Sequence, residues 1–525
     1  MQDGEREQLE QKANAWATAN QTYYVDTRLI TDITPLQEVI GVTDMKTYHI
    51  VPLATAPGRI DFGYTAATDR SRFALFAQKY PKITCNFYVV SEPGYAELLA
   101  KLDVQSLAIR TDDNFASFKK QLQALNKDDT FRLIAQLAYQ MNASDIHFEP
   151  KATEARLRFR IDGTLHPIIS ITPEKYKLIL TAVQNASSMK WGSDQPQAGR
   201  TTLELVGENK TTKPVNIRLE TIPTMHGEEL VARLLNLDIT FLNLDNAQLS
   251  KPQRAAVDEI IRRPYGMVLT VGPTGSGKTS MLYSIINAAN SPEVKIVTLE
   301  DPIEYDLPDT SQISVHSNDN DLFSAKLRAV VRQDPNIIMI GEIRDLDTAK
   351  TALQAALTGH LVLSTFHASS AAAAVNRLMD MIGQNPLLTS AIRLIMAQRL
   401  VRRVCPDCKE TYTPTKDELE QLQTALKGLP TSLYNPTDKL KLTRGKGCDK
   451  CLGYGFRGRI PLIEQLPMTA AMEDLISTAG IQTTRHAIQA LAVKEGMVTL
   501  LQDGLLKALA GQTTVEEVYR LVEST

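Results

Sequence analysis

Residues Gly272–Thr279 read GPTGSGKT and satisfy the pattern G-x-x-x-x-G-K-[ST], with the apolar run MVLTV before them and the helix-forming run SMLYSIINAA after them. Strand, glycine loop and helix in that order is the context in which the pattern binds phosphate rather than merely turning the chain. Gly272, Gly275 and Gly277 free the backbone to wrap with its N–H groups inward, and the start of the following helix adds positive potential for phosphate oxygens. Gly272, Pro273, Thr274, Gly275, Ser276, Gly277, Lys278, Thr279 and Ser280 are therefore the expected ATP-binding loop. Within it the Lys278 ammonium would meet the β and γ phosphates and the Thr279 hydroxyl would ligate Mg²⁺. The other reading, a glycine-rich turn that fits by accident, leaves the flanking strand and helix unexplained.

Such a loop demands an α/β domain with a buried parallel sheet, and the chain supplies the strands. PYGMVLTVG, VKIVTLED, NIIMIGE and HLVLSTFH are short, apolar, β-rich runs separated by helical patterns. In an open parallel sheet the strand C-termini share one edge, so side chains just past these runs reach the crevice that holds the loop. Glu300, Asp301 and Glu304 follow the second run and Glu342 the third. Glu342 is expected to position the attacking water, with Glu300 as second choice; a carboxylate at either place alternatively holds the magnesium shell. Asp301 and Glu304 read equally well as loop acids or helix caps. His360 and His367 bracket the fourth run, where an imidazole either serves packing or senses a γ-phosphate.

Two Cys-x-x-Cys pairs, Cys405/Cys408 and Cys448/Cys451, account for four of the five cysteines. Four thiolates satisfy tetrahedral Zn²⁺ and leave no open position, so a structural zinc site is expected; a redox pair or free thiols are the alternatives. Cys85 is left over and reads as a buried thiol. Lys and Arg total 57 against 60 Asp and Glu, a balance without the positive excess of a dedicated nucleic-acid binder. No window approaches the ~18 apolar residues of a membrane span, and the opening MQDGEREQLEQK lacks the features of a signal peptide, so a cytoplasmic place is expected.

At 525 residues the chain has room for about three or four domains. Residues 1–22 are polar and helix-prone without a recurring apolar face, and read as a mobile arm. Residues 23–110 read as a small N-terminal α/β partner-binding domain, a boundary follows near 110–125, and 125–244 read as a second module with the strands ARLRFRID, TTLELV and VNIRLETI. The nucleotide-binding domain fills 250–525, including a zinc subdomain at 403–460 and terminal helices over 468–525. Alternation in RLRFR puts Arg156, Arg158 and Arg160 on one strand face. With Arg218 and Arg233 they are candidates for arginine fingers, although most surface arginines are solvated or paired with acids.

Taken in order, SDIHFEP (144–150), RFRIDG, TIPTMHGE, GPTGSGKT, LEDPIEY, RQDPNIIMIGEIRD, ALTGHLVLSTFH, QRLVRRVCPDC and DGLLKALAGQTTVEEVYRLV resemble the signatures of the bacterial type II secretion and type IV pilus assembly ATPases. The likeness covers about 130–525, and its specificity lies in the ordered set rather than in the phosphate loop alone. It implies an ATP-hydrolysing homohexameric motor on the cytoplasmic face of the inner membrane, acting through a membrane platform protein and without a direct nucleic-acid partner. It implies a PAS-like half joined by a flexible link to a RecA-like core. By position, Lys278 and Thr279 match the family's Walker A loop, Glu300, Asp301 and Glu304 its acidic box, Glu342 its Walker B box, and His360 and His367 its histidine box. Arg218 and Arg233 match arginines directed at the phosphates, and the four cysteines match the family's zinc site. The rival readings are a pilus-retraction or DNA-uptake ATPase, a RecA-like nucleic-acid translocase, and a nucleotide switch without turnover. Asn336, the segment Phe366–Ser369 and the segment Gln195–Arg200 depart from the family's usual residues; none removes the Lys, Thr or Glu that hydrolysis requires.

Overall fold

The computed structural model describes residues 3–30, 45, 47–56, 58–81, 83–106, 127–207, 211–235, 242–263, 265–315, 320–383, 385, 387–435, 440–451, 453–479 and 483–522. The boundary expected near 110–125 lies outside these residues. The chain divides into two compact units, Met1–Asn236 and Leu237–Thr525.

Among the described residues the first unit holds two sheets. Strands β1 (Val51–Ala56), β2 (Arg59–Tyr64) and β3 (Thr84–Val89) form the smaller one, with β1 antiparallel and β3 parallel to β2. Its core is aromatic: Phe62 and Phe76 meet edge to face at 5.2 Å between ring centroids, and Phe73 stacks on Phe87 at 4.2 Å. Such pairs add ~0.5–1.5 kcal/mol beyond the area they bury. The described part of the segment expected as a mobile arm packs as a helix. A helix spans Asp3–Ala19, with Ala17 buried in this core and Ala13 and Trp16 packed against it. The stripe at 10, 13 and 17 was hidden because Glu10, one of its members, is a carboxylate buried under the Tyr24 hydroxyl that donates to it. Cys85 is a free thiol on β3 and is half-buried rather than buried.

The larger sheet of this unit is antiparallel, in the order β6-β5-β4-β9-β8-β7. Its strands are β4 (Ala143–Pro150), β5 (Ala155–Ile161), β6 (Thr164–Ile171), β7 (Gln197–Val206), β8 (Thr212–Thr224) and β9 (Gly227–Leu235). Strand alternation gives it two unlike faces. Ile146, Phe148, Leu157, Phe159, Ile217, Leu219, Leu230 and Ala232 enter a core shared with the helices Lys127–Gln140 and Pro173–Ala186. The alternate residues, among them Asp145, His147, Glu149, Arg158, Arg218 and Arg233, share the opposite, charged face.

The second unit is built on a seven-stranded sheet in the order β12-β11-β13-β14-β10-β15-β18. The four runs read from the sequence are β10 (Gly266–Val271), β11 (Ile296–Glu300), β13 (Ile337–Ile340) and β14 (Leu361–Phe366). With β12 (Thr310–Ser314) and β15 (Ile392–Val404) they are parallel, and β18 (Phe456–Pro467) closes the edge antiparallel to β15. Both faces are covered. Met267, Leu269 and Val271 enter one core and Val268 the other, which is why these strands read as unbroken apolar runs. Each fully buried Leu or Ile contributes roughly 1.5–3 kcal/mol, and that burial fixes the register. Because β13, β14 and β10 are neighbours, the residues that follow them emerge side by side.

Candidate nucleotide site

The loop after β10 turns on glycines that the geometry requires. Gly275 and Gly277 have φ of 77° and 84°, left-handed values that disfavour a side chain, and Gly277 caps the helix Lys278–Ala289. At Gly272 a Cβ would lie 2.5 Å from the Gln398 carbonyl oxygen on β15. Lys278, 9% exposed, bends back so that its Nζ donates to the carbonyls of Gly272 and Pro273, each at 2.9 Å. The buried Ser276 hydroxyl has no hydrogen-bond partner. Pro273, Thr274 and Gly275 are exposed, and Thr279 and Ser280 are half-buried. A backbone cradle closed to side chains, an unpartnered hydroxyl and an ammonium satisfied only by loop carbonyls fit a polyphosphate chain.

Glu342 follows β13 and His367 follows β14. His367 Nε2 is 3.0 Å from Glu342 Oε1, and Arg344 Nε donates to Glu342 Oε2 at 3.0 Å. Burial holds Lys278 below the usual lysine range; the nearby Glu342 carboxylate pulls it up and the Arg399 guanidinium adds to the lowering. Glu342 thus shares the strand-end edge with the loop lysine and His367. Asp301 joins through a 3.8 Å contact with Arg344.

Glu300 is placed differently. It is 2% exposed, and its Oε2 accepts from the Tyr283 hydroxyl on the loop helix. Its Oε1 accepts from Thr298 at 2.6 Å and from Gln312 at 3.0 Å. Both oxygens are engaged, so the carboxylate ties the loop helix to β11 and is not presented to water. His360 stands before β14, a six-residue strand away from His367, and its Nδ1 meets the Ala355 carbonyl at 3.0 Å. At ~3.3 Å per residue the strand separates the two imidazoles, and they do not form a pair.

The four cysteines converge from the strands β16 (Lys409–Tyr412) and β17 (Leu442–Gly445) and their flanks. Sγ–Sγ distances are 3.9 Å for Cys405–Cys448 and 3.7 Å for both Cys408–Cys451 and Cys448–Cys451. Tetrahedral Zn²⁺ with bonds near 2.3 Å would put its sulfurs about 3.8 Å apart, so the cluster fits zinc. Burial raises the Cys451 thiol, but the N–H groups of Cys448 and Gly455 donate to its sulfur at 3.2 and 3.3 Å and bring it down to about 7.

Residues 123–520 match the family described as type II/IV secretion system protein. The chain belongs to that family. The type II secretion system protein E of Pseudomonas aeruginosa is 39% identical over 387 residues, 73% of each chain. The type IV pilus assembly ATPase PilB of Thermus thermophilus is 38% identical over 383 residues, 73% of this chain and 41% of that one. Among solved structures, the Legionella pneumophila ATPase DotB is similar with a TM-score of 0.56 at 19% identity, over 77% of this chain and 97% of that chain. That likeness concerns the fold.

In this P-loop secretion-family protein the arginines read from the sequence lie in the first unit. Arg218 and Arg233 stand directly opposite one another on β8 and β9, and each has an acid beside it, Glu220 at 2.8 Å and Asp145 at 2.8 Å. Arg156, Arg158 and Arg160 do share one face of β5; Arg158 pairs with Glu149, and Arg160 lies 3.3 Å from Asp145.

Sequence reading missed three side chains around the loop of this secretion-family protein. Arg399, 4% exposed, donates to the carbonyls of Ser369 and Gln398 at 2.8 and 3.1 Å, bridging the segment after β14 to β15. Arg377 donates to the His367 carbonyl at 2.6 Å. Gln398 Nε2 donates to the Gly277 carbonyl at 3.3 Å. The available signal was QRLVRR: an arginine on the inward-facing register of an apolar strand must have buried partners.

Proposed function

We propose that the chain hydrolyses ATP to ADP and phosphate and works as a homohexameric motor that powers type II protein secretion or type IV pilus assembly. The observation that carries this reading is the placement of Glu342 and Lys278 at one sheet edge, where Glu342 acts electrostatically on the loop lysine. Lys278 leaves its two loop carbonyls for the phosphates, which compensate a buried ammonium better than neutral acceptors do. Glu342 positions water and accepts its proton, with His367 and Arg344 fixing the carboxylate's orientation. Thr279 holds Mg²⁺, which neutralises charge on the phosphates. Arg218 and Arg233 supply cations for the transferred phosphoryl group. Glu300 serves by fixing the loop helix. The four cysteines hold Zn²⁺ as a closed structural site.

The relatives' lengths favour the secretion reading, since the secretion protein aligns over 73% of its own chain and the pilus ATPase over 41%. The first unit's six-stranded sheet serves as the PAS-like half and the second unit as the RecA-like core. Among the described residues no helix is long and apolar enough to cross a membrane, consistent with attachment to the inner membrane's cytoplasmic face through a platform protein. The test is ATP turnover by the full-length Glu342→Gln protein: a loss of about 10²–10⁴-fold with nucleotide binding retained is expected for a removed base, and an unchanged rate overturns the reading.

A further inference from the structure

We propose that His147, Glu149 and Glu229 form a second metal site, distinct from the cysteine cluster, that takes a divalent transition ion of the Zn²⁺ class. Nucleotide chemistry uses none of the three. His147 and Glu149 are two apart on β4 and so share its charged face. The pairing of His147 with Val231 and of Phe148 with Leu230 brings Glu229, the next residue along β9, beside them. One ligand atom from each of the three side chains lies within 4.8 Å of the others.

Two further observations point to a cation. His147 Nε2 is buried without a hydrogen-bond partner, whereas a histidine in a mere charge ladder would bond one of its neighbouring carboxylates. Glu149, 8% exposed, and the half-buried Glu229 bring two negative charges together across neighbouring strands, an arrangement that destabilises a sheet unless a cation offsets it. Arg158 meets only one of these oxygens, Glu149 Oε1. That leaves Glu149 Oε2, Glu229 and His147 for a metal, with Arg158 as the outer partner that ligating carboxylates commonly have. Asp145 is excluded as a ligand because Arg233 and Arg160 hold it.

Bonds of 2.0–2.2 Å to one nitrogen and two oxygens would put the donors roughly 3.4 Å apart, a contraction of at most about 1.4 Å from the present spacing, which the half-buried His147 and Glu229 side chains can supply. One imidazole and two carboxylates suit Zn²⁺, Co²⁺ or Mn²⁺ rather than a soft ion such as Cu⁺. Three protein ligands leave a coordination position open to water.

The test uses the full-length protein equilibrated with Zn²⁺ and freed of excess, and then with Co²⁺. About two ions per chain are expected in the wild type and about one in both His147→Ala and Glu229→Gln, the cysteines keeping theirs. With Co²⁺, the sulfur charge-transfer bands of the cysteine site should persist in these variants while the weak visible bands of the nitrogen–oxygen site vanish. One ion per wild-type chain, lost on Cys405→Ser, overturns the proposal. So does a second ion that survives in both variants. If His147→Ala does not fold, Glu229→Gln decides by the same count.

Discussion

His367 Nε2 lies 3.0 Å from Glu342 Oε1 at the ends of two neighbouring strands, β14 and β13, whose side-by-side pairing fixes their spacing. The other carboxylate oxygen is held by Arg344 at 3.0 Å, so the glutamate is gripped from two sides at the sheet edge where the loop lysine lies.

The first prediction concerns that grip. His367→Asn keeps the backbone but removes the imidazole from Glu342. Since a misplacement of about 1 Å costs on the order of 10²-fold in rate, kcat should fall by about that factor with KM for ATP little changed. Steady-state kinetics on the full-length protein decide it; a change confined to KM would assign His367 to ground-state binding instead.

Glu300 gives the second. Tyr283 contacts it from the loop helix while Thr298 and Gln312 hold its other oxygen. Tyr283→Phe strips one donor from a buried carboxylate, at a cost of ~1–3 kcal/mol. A lower denaturation midpoint with residual turnover is expected. Abolished turnover at unchanged stability would return Glu300 to the chemistry.

These two glutamates show what the sequence made legible. Both were found because each follows an apolar run, and the parallel sheet brings the ends of those runs to one edge. What distinguishes them is which side chains meet them there. Tyr283 and Gln312 approach Glu300 from elements 17 residues before and 12 residues after it, and no local pattern encodes such a meeting. The loop itself was fully readable, because its glycines, its lysine and its flanking elements are contiguous. The packing of the helix Asp3–Ala19 against the core was missed for the opposite reason: one member of its buried stripe is Glu10, whose partner Tyr24 compensates it only in the folded state. His360 and His367 look alike in sequence, yet strand direction sends one to the site edge and the other to the opposite end.

A third prediction follows from Glu517, which is 2% exposed and clamped by Arg402 and Arg520 at 2.7 and 2.6 Å. Burial pushes its carboxyl up, but hydrogen bonds from Arg402 and Arg520 outweigh it and hold the group below its ordinary value of 4.5. A depressed carboxyl gives stability that is present above the unfolded-state pKa and is lost as pH falls through the folded one. Glu517→Gln should cost roughly 3 kcal/mol at neutral pH, and the gap from the wild type should narrow below about pH 4.5. Urea melts at pH 7 and pH 4 measure it; a gap that does not shrink in acid would refute the assignment.

The cysteine cluster gives the fourth. Because a structural zinc contributes folding free energy directly, Cys405→Ser should reduce the zinc content by about one ion per chain and lower the thermal midpoint. Metal analysis beside a melting curve checks both. Unchanged melting after complete zinc removal would contradict a structural role.

The most direct measurement is steady-state ATP hydrolysis by the full-length Lys278→Ala protein beside the wild type. The account predicts turnover in the wild type and none detectable in the variant, because the buried ammonium that now rests on the Gly272 and Pro273 carbonyls is the cation that meets the phosphates. Hydrolysis by Lys278→Ala at the wild-type rate would contradict it.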